Sequence, residues 1–110
     1  MNPFEFLKKV LTPKPLEPID PSALLIDVRS PVEFSGGSIH GAIHIPVDQI
    51  HLIDKHKPRI ELNRPIIVFC ASGMRSASAR RQLLSMGYTN VINGGGISNL
   101  AMHIAQSSKA

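Results

Sequence analysis

The chain has 110 residues, 43% hydrophobic and 18% charged, which suits one compact globular domain and is too short for two independent cores. No apolar run approaches the ~20 residues that span a bilayer, and Glu5, Lys8 and Lys9 interrupt "MNPFEFLKKVL", so neither a membrane span nor a secretory signal is expected. Twelve basic and eight acidic residues give a net charge of +4 spread along the chain, and one Tyr, four Phe and no Trp leave little to stack on bases, so nucleic acid is not an expected partner.

Phe4, Leu7 and Leu11 recur at helical spacing, with Glu5 and Lys9 four apart, and predict a short amphipathic helix over 4–11 that packs on the domain. "TPKPLEPIDP" then places Pro at 13, 15, 18 and 21, an extended connector with an edge strand near Leu16 to Ile19. Residues 1–15 thus read as a helix and connector, 16–105 as the main domain and 106–110 as a flexible tail. "ALLIDV", 23–28, is a continuous apolar run with a carboxylate near its end, as in a strand buried on both sheet faces. In "SPVEF" Ser30 caps a helix, Pro31 opens it and Glu33 completes a capping box.

"AIHIP", 42–46, alternates as a strand, and Val47, Ile50 and Ile53 to Leu62 read as one or two short helices around Pro58. "IIVFC" is a second buried strand. "SASARRQLLSM" is a helix starting near Ser76, with Ala79, Leu83 and Met86 on one face and Gly87 as its C-cap. "NVIN" is a last strand, Gly94 to Gly96 a turn, and Ile97 to Ala105 a terminal helix. Strands alternating with helices define an α/β fold whose parallel sheet carries helices on both faces.

The only cysteine, Cys70, ends the strand "IIVFC", the sheet end at which open parallel α/β folds bind ligands. A lone cysteine excludes an internal disulfide and a CxxC pair, and it fits a reducing cytoplasm. Ala71, Ser72, Gly73 and Met74 are small or unbranched, so their amides can turn inward as an anion nest at the N-terminus of the following helix. Such a site, with Arg75 beside it, lowers a thiol pKa from about 8.5 and makes the thiolate a nucleophile. The other reading, a small apolar residue buried at a strand end, suits free cysteines in general. His40 and His44 stand four apart without a cysteine or carboxylate to complete a ligand set, so no metal is expected.

In order along the chain, "LLIDVRSPVEF", "GGSIHGAIHIP", "IIVFCASGMRS" and "MGYTNVINGGG" resemble the motifs of single-domain rhodaneses, over roughly residues 16 to 100. The resemblance implies a three-layer α/β/α fold with a mostly parallel five-stranded sheet. It also implies a sulfurtransferase in which Cys70 takes a sulfane sulfur as a persulfide and passes it to cyanide or a thiol, without a cofactor. Residues 71 to 75 would hold the donor anion, with thiosulfate as one donor. Arg75 would close the loop on a carboxylate such as Asp27 or Glu33, or meet the donor itself. Asp27 and Arg29 would support the loop ionically, and Ser76 would cap the helix, with a bond to the sulfur as the alternative for Ser72 and Ser76. The implied partners are a small anionic donor and a thiol acceptor, a thioredoxin-like protein among them, for a monomer or weak dimer. Four residues between Cys70 and Arg75 match rhodanese loops, whereas phosphatases of similar fold carry five. The other readings are a regulatory interaction module, whose silent relatives commonly lack the cysteine, and an arsenate reductase drawing on an external thiol.

Overall fold

A computed structural model of the chain describes residues 2, 3 and 18–107. The helix expected over 4–11, the first half of the edge strand at Leu16 to Ile19 and the last three tail residues lie outside the described residues, and 18–20 form no strand. The elements are β1 (Leu24–Asp27), α1 (Pro31–Ser35), β2 (Ile43–His44), a 3-10 helix (Val47–Leu52), α2 (Ile53–His56), β3 (Ile66–Cys70), α3 (Met74–Ser85), β4 (Val91–Gly96) and α4 (Ile97–Ser107).

The sheet has four strands among the described residues, one fewer than expected, in the order β2-β1-β3-β4 with every pair parallel. Because strand side chains alternate between faces, β3 divides its run between two cores. Ile66, Val68 and Cys70 pack with Ala79 and Leu83 of α3, while Ile67 and Phe69 pack with Leu100 of α4. Cys70 therefore points to the α3 side.

Chain order reverses between β1 and β3, since β2 lies beyond β1 and β4 beyond β3. The crevice at the carboxyl ends of those two strands is where open parallel sheets hold ligands, and Asp27 and Cys70 end them.

Several boundaries differ from the sequence reading. The helix expected between Ile53 and Leu62 ends at His56, and beyond it Arg59 takes a φ of 65°, incompatible with a continued helix. Gly94 to Gly96 form no separate turn but continue β4: Val68 pairs with Asn93 and Cys70 with Gly96, so β4 holds one extra residue there, a bulge that Gly95 accommodates at φ 80°. Helix α3 ends in a Schellman motif, in which Gly87 donates to the Leu84 carbonyl and Tyr88 to that of Leu83. Gly87 is thus the residue past the cap, and Met86, expected on the buried face, is the cap itself and 38% exposed. Helix α4 runs two residues past Ala105.

Candidate active site

The turn from β3 into α3 is built on Gly73, whose φ of 97° favours glycine and whose carbonyl accepts the first bond of the helix, from Ala77. Helix α3 begins at Met74, two residues before the expected start, and Gly73 offers no side chain to cap it. The amides of its first turn therefore need another acceptor. Cys70 supplies it: its Sγ accepts the Gly73 N–H at 2.9 Å and the Ser76 N–H at 3.4 Å, and lies 3.3 Å from Ser76 Oγ. In effect the sulfur caps the helix.

Cys70 and Ser76 have no exposed surface, whereas Ala71, Ser72 and Met74 form an exposed lip above them. Burial alone pushes the thiol pKa up. The hydrogen bonds from the Ser76 hydroxyl and the amides of Ser76, Ser72 and Gly73 outweigh it and bring the thiol down to about 7. A substantial fraction is then thiolate at neutral pH.

Ser76 is not the helix cap expected of it. It lies in the third helical position, and its Oγ donates to Asn93 Oδ1 at 2.7 Å. Asn93, which the sequence reading did not single out, also accepts the Gly95 N–H at 2.9 Å and donates through Nδ2 to the Gly73 carbonyl at 3.1 Å. It ties the loop to β4. Gly96 brings the strand close enough for this contact, since a Cβ there would stand 2.7 Å from the Ala71 carbonyl oxygen.

Arg75 makes the expected bidentate pair, and its partner is Glu33, not Asp27: Nη1 donates to Oε1 at 2.6 Å and Nη2 to Oε2 at 2.9 Å. Glu33 also accepts from the Ser30 amide, completing the capping box of α1. The guanidinium and the Ser30 bonds hold its carboxyl below the usual carboxylate range. One side chain thus joins the start of α1 to the start of α3.

Asp27 and Arg29 form a separate buried pair beside the loop. Arg29 donates from Nη2 at 2.8 Å and Nε at 3.0 Å to the carboxylate, which also accepts the Ser38 hydroxyl at 2.7 Å. Burial raises the Asp27 pKa, but these donors outweigh it and the net shift is downward. A carboxylate with a depressed folded pKa stabilises the fold fully above its unfolded value near 3.9, and that contribution is lost as pH falls through the folded value. Asp27→Asn leaves the 8% exposed Arg29 short of its partner, and a loss of about 3 kcal/mol at neutral pH is expected. Urea unfolding across pH checks this: the difference from wild type should shrink below pH ~4.

His44 is stacked on Phe34 at 4.4 Å, with its Nε2 2.8 Å from the Arg29 carbonyl oxygen, and among the described residues no three His, Cys, Asp or Glu side chains gather as a metal site. No described helix is long and apolar enough to cross a membrane. A cavity of about 480 Å³ lies on the α4 side, lined by Ile19, Pro65, Ile67, Ile92, Leu100 and His103 among others, and Cys70 is not part of its wall.

The fold and the site define a parallel α/β domain that holds one cysteine among backbone amides at the switch point of its sheet. The sequence profile of the rhodanese-like domain matches residues 14–102, and the chain belongs to that family. It is 38% identical over 81 residues to a sulfurtransferase of Allochromatium vinosum, covering 73% of each chain. To the thiosulfate sulfurtransferase PspE of Escherichia coli it is 37% identical over 82 residues, covering 70% of this chain and 73% of that one. A solved structure described as a rhodanese with anions from E. coli superposes with a TM-score of 0.64 at 35% identity, over 70% of this chain and 89% of the other.

Proposed function

We propose that the protein is a sulfurtransferase that carries a sulfane sulfur on Cys70 from a small anionic donor, such as thiosulfate, to a thiophilic acceptor. The observation that carries this reading is the convergence of the Gly73 and Ser76 amides on Cys70 Sγ at the start of α3. The names of the sulfurtransferase relatives agree with it, and the anions in the similar rhodanese structure suit a site of this kind.

In the first step the Cys70 thiolate attacks the outer sulfur of thiosulfate, the sulfur–sulfur bond of the donor breaks, and sulfite leaves with the bonding pair. The amides that held the thiolate then face the persulfide, whose negative charge stands nearby. In the second step cyanide or a thiolate attacks the outer persulfide sulfur and Cys70 returns as thiolate. Both steps balance without a redox cofactor. Arg75 is held by Glu33 and acts as a brace of the loop, and the lip of Ala71, Ser72 and Met74 carries no charge. Backbone donors therefore do most of the anion binding, which favours a compact donor and leaves the lip open to a thiol, that of a thioredoxin-like protein included. The single cysteine suits a reducing compartment such as the cytoplasm.

Intact-mass measurement tests this reading. Reduced protein incubated with thiosulfate should gain one sulfur, located on Cys70 by peptide mapping and removed by cyanide. Absence of the adduct with every sulfane donor tried, on protein whose thiol is free, would sink the proposal.

A further inference from the structure

Ser76 has one hydroxyl proton and two neighbours that can take it. Its oxygen is 2.7 Å from Asn93 Oδ1 and 3.3 Å from Cys70 Sγ, and the residue has no exposed surface, so water does not supply a third. The orientation of the Asn93 amide is fixed by its other contacts, because turned over it would set its NH2 against the Gly95 N–H and its oxygen against the Gly73 carbonyl. The Ser76 proton therefore points to Asn93. In that arrangement the hydroxyl can only accept from Cys70, which suits the S–H of the thiol and opposes the lone pairs of the thiolate.

We propose that Asn93 is a positioning residue for Cys70 that competes with the sulfur anion for the Ser76 proton: the hydroxyl donates to Asn93 while Cys70 is a thiol and turns to the sulfur when the thiolate forms. A bond to the anion is stronger than one to a neutral amide. Asn93 loses little when the hydroxyl turns, since its Oδ1 keeps the Gly95 N–H and the side chain is exposed to water. The sulfur thus sits between donors of two kinds, amides that never leave it and a hydroxyl that Asn93 holds back.

Other charged and titratable groups stand on the elements packed around Cys70. They are the Glu33–Arg75 pair joining α1 and α3, the Asp27–Arg29 pair at the end of β1, Arg80 and Arg81 further along α3, and Asp48 and His51 on the 3-10 helix against α3. Strand β4, which carries Asn93, has no ionisable side chain.

The proposal rests on Cys70 as the nucleophile, but its test reads the ionisation of the thiol and not turnover, so the two stand or fall separately. As Cys70 is the only cysteine, thiolate ultraviolet absorbance follows it alone in wild type, Asn93→Ala, Ser76→Ala and the double variant. Asn93→Ala should raise the thiolate-to-thiol ratio at fixed pH about threefold to tenfold, as expected for freeing one hydrogen-bond donor. Ser76→Ala should lower it, and adding Asn93→Ala to Ser76→Ala should change nothing further. A role confined to bracing the Gly73 turn gives the opposite sign, because a looser loop serves the thiolate worse. An unchanged or lowered ratio in Asn93→Ala, or an equal increase in the Ser76→Ala background, overturns the proposal. Asn93→Val carries the same expectation on a residue suited to a strand, should alanine weaken β4.

Discussion

Serine in place of Cys70 is expected to lower thiosulfate-to-cyanide transfer by roughly 10³-fold or more, the scale of losing a nucleophile, while the domain stays folded. The hydroxyl does not ionise near neutral pH and its oxygen forms no persulfide, so both displacement steps are lost together. Its oxygen still accepts hydrogen bonds from the Gly73 and Ser76 amides, so the cap of α3 survives. Cys70→Ala separates the two roles: it loses the same activity and also leaves those amides without an acceptor, which costs about 1 kcal/mol as for other lost caps. Steady-state turnover alongside chemical denaturation of the three proteins measures both effects. Turnover retained in Cys70→Ser would remove the nucleophile from the scheme. In the wild type, kcat/KM should rise with pH through about 7 and then level, because the reactive thiolate is the deprotonated form and the thiol ionises there.

The parts of this site that obey local rules were legible in the sequence, and the parts made by contact across the fold were not. The capping box of Ser30 and Glu33 needs only residues three apart, and the position of Cys70 follows from an apolar strand meeting a glycine-containing loop. The sequence points to Ser76 as the start of α3 because Ser76 has the chemistry of a cap, whereas the sulfur of Cys70 takes that role from outside the helix. Ser76 instead bonds a partner 17 residues away. An asparagine directly before a glycine run, at the end of the strand beside the cysteine, was the one available signal for Asn93. The glycines that follow it read as a turn because glycine more often serves turns than strands, yet here pairing with β3 and the approach of the loop require them.

Those glycines give the second large effect, and they separate shape from stability. A Cβ at Gly96 would stand 2.7 Å from the Ala71 carbonyl oxygen and 3.5 Å from its carbon, both backbone atoms that cannot turn aside. Gly96→Ala must therefore displace the residue that follows Cys70 and opens the loop of amides around the sulfur, and misplacements near 1 Å cost about 10²-fold in rate. At Gly94 the two shortest contacts of a Cβ are with side-chain atoms, 2.8 Å from Ile67 Cγ2 and 3.0 Å from Leu100 Cδ2, in the core between β3 and α4, and its backbone contact is the longer one, 3.3 Å from the Val68 carbonyl oxygen. Overpacking there costs about 1–3 kcal/mol of stability, on the sheet face opposite the sulfur. The expected result is a crossed pattern: Gly96→Ala loses about 10²-fold in kcat/KM with a modest shift in its denaturation midpoint, and Gly94→Ala shifts the midpoint with near-normal turnover below it. The reverse pattern would mean that the cradle is set by the cores on either face and not by the contact of β4 with the loop.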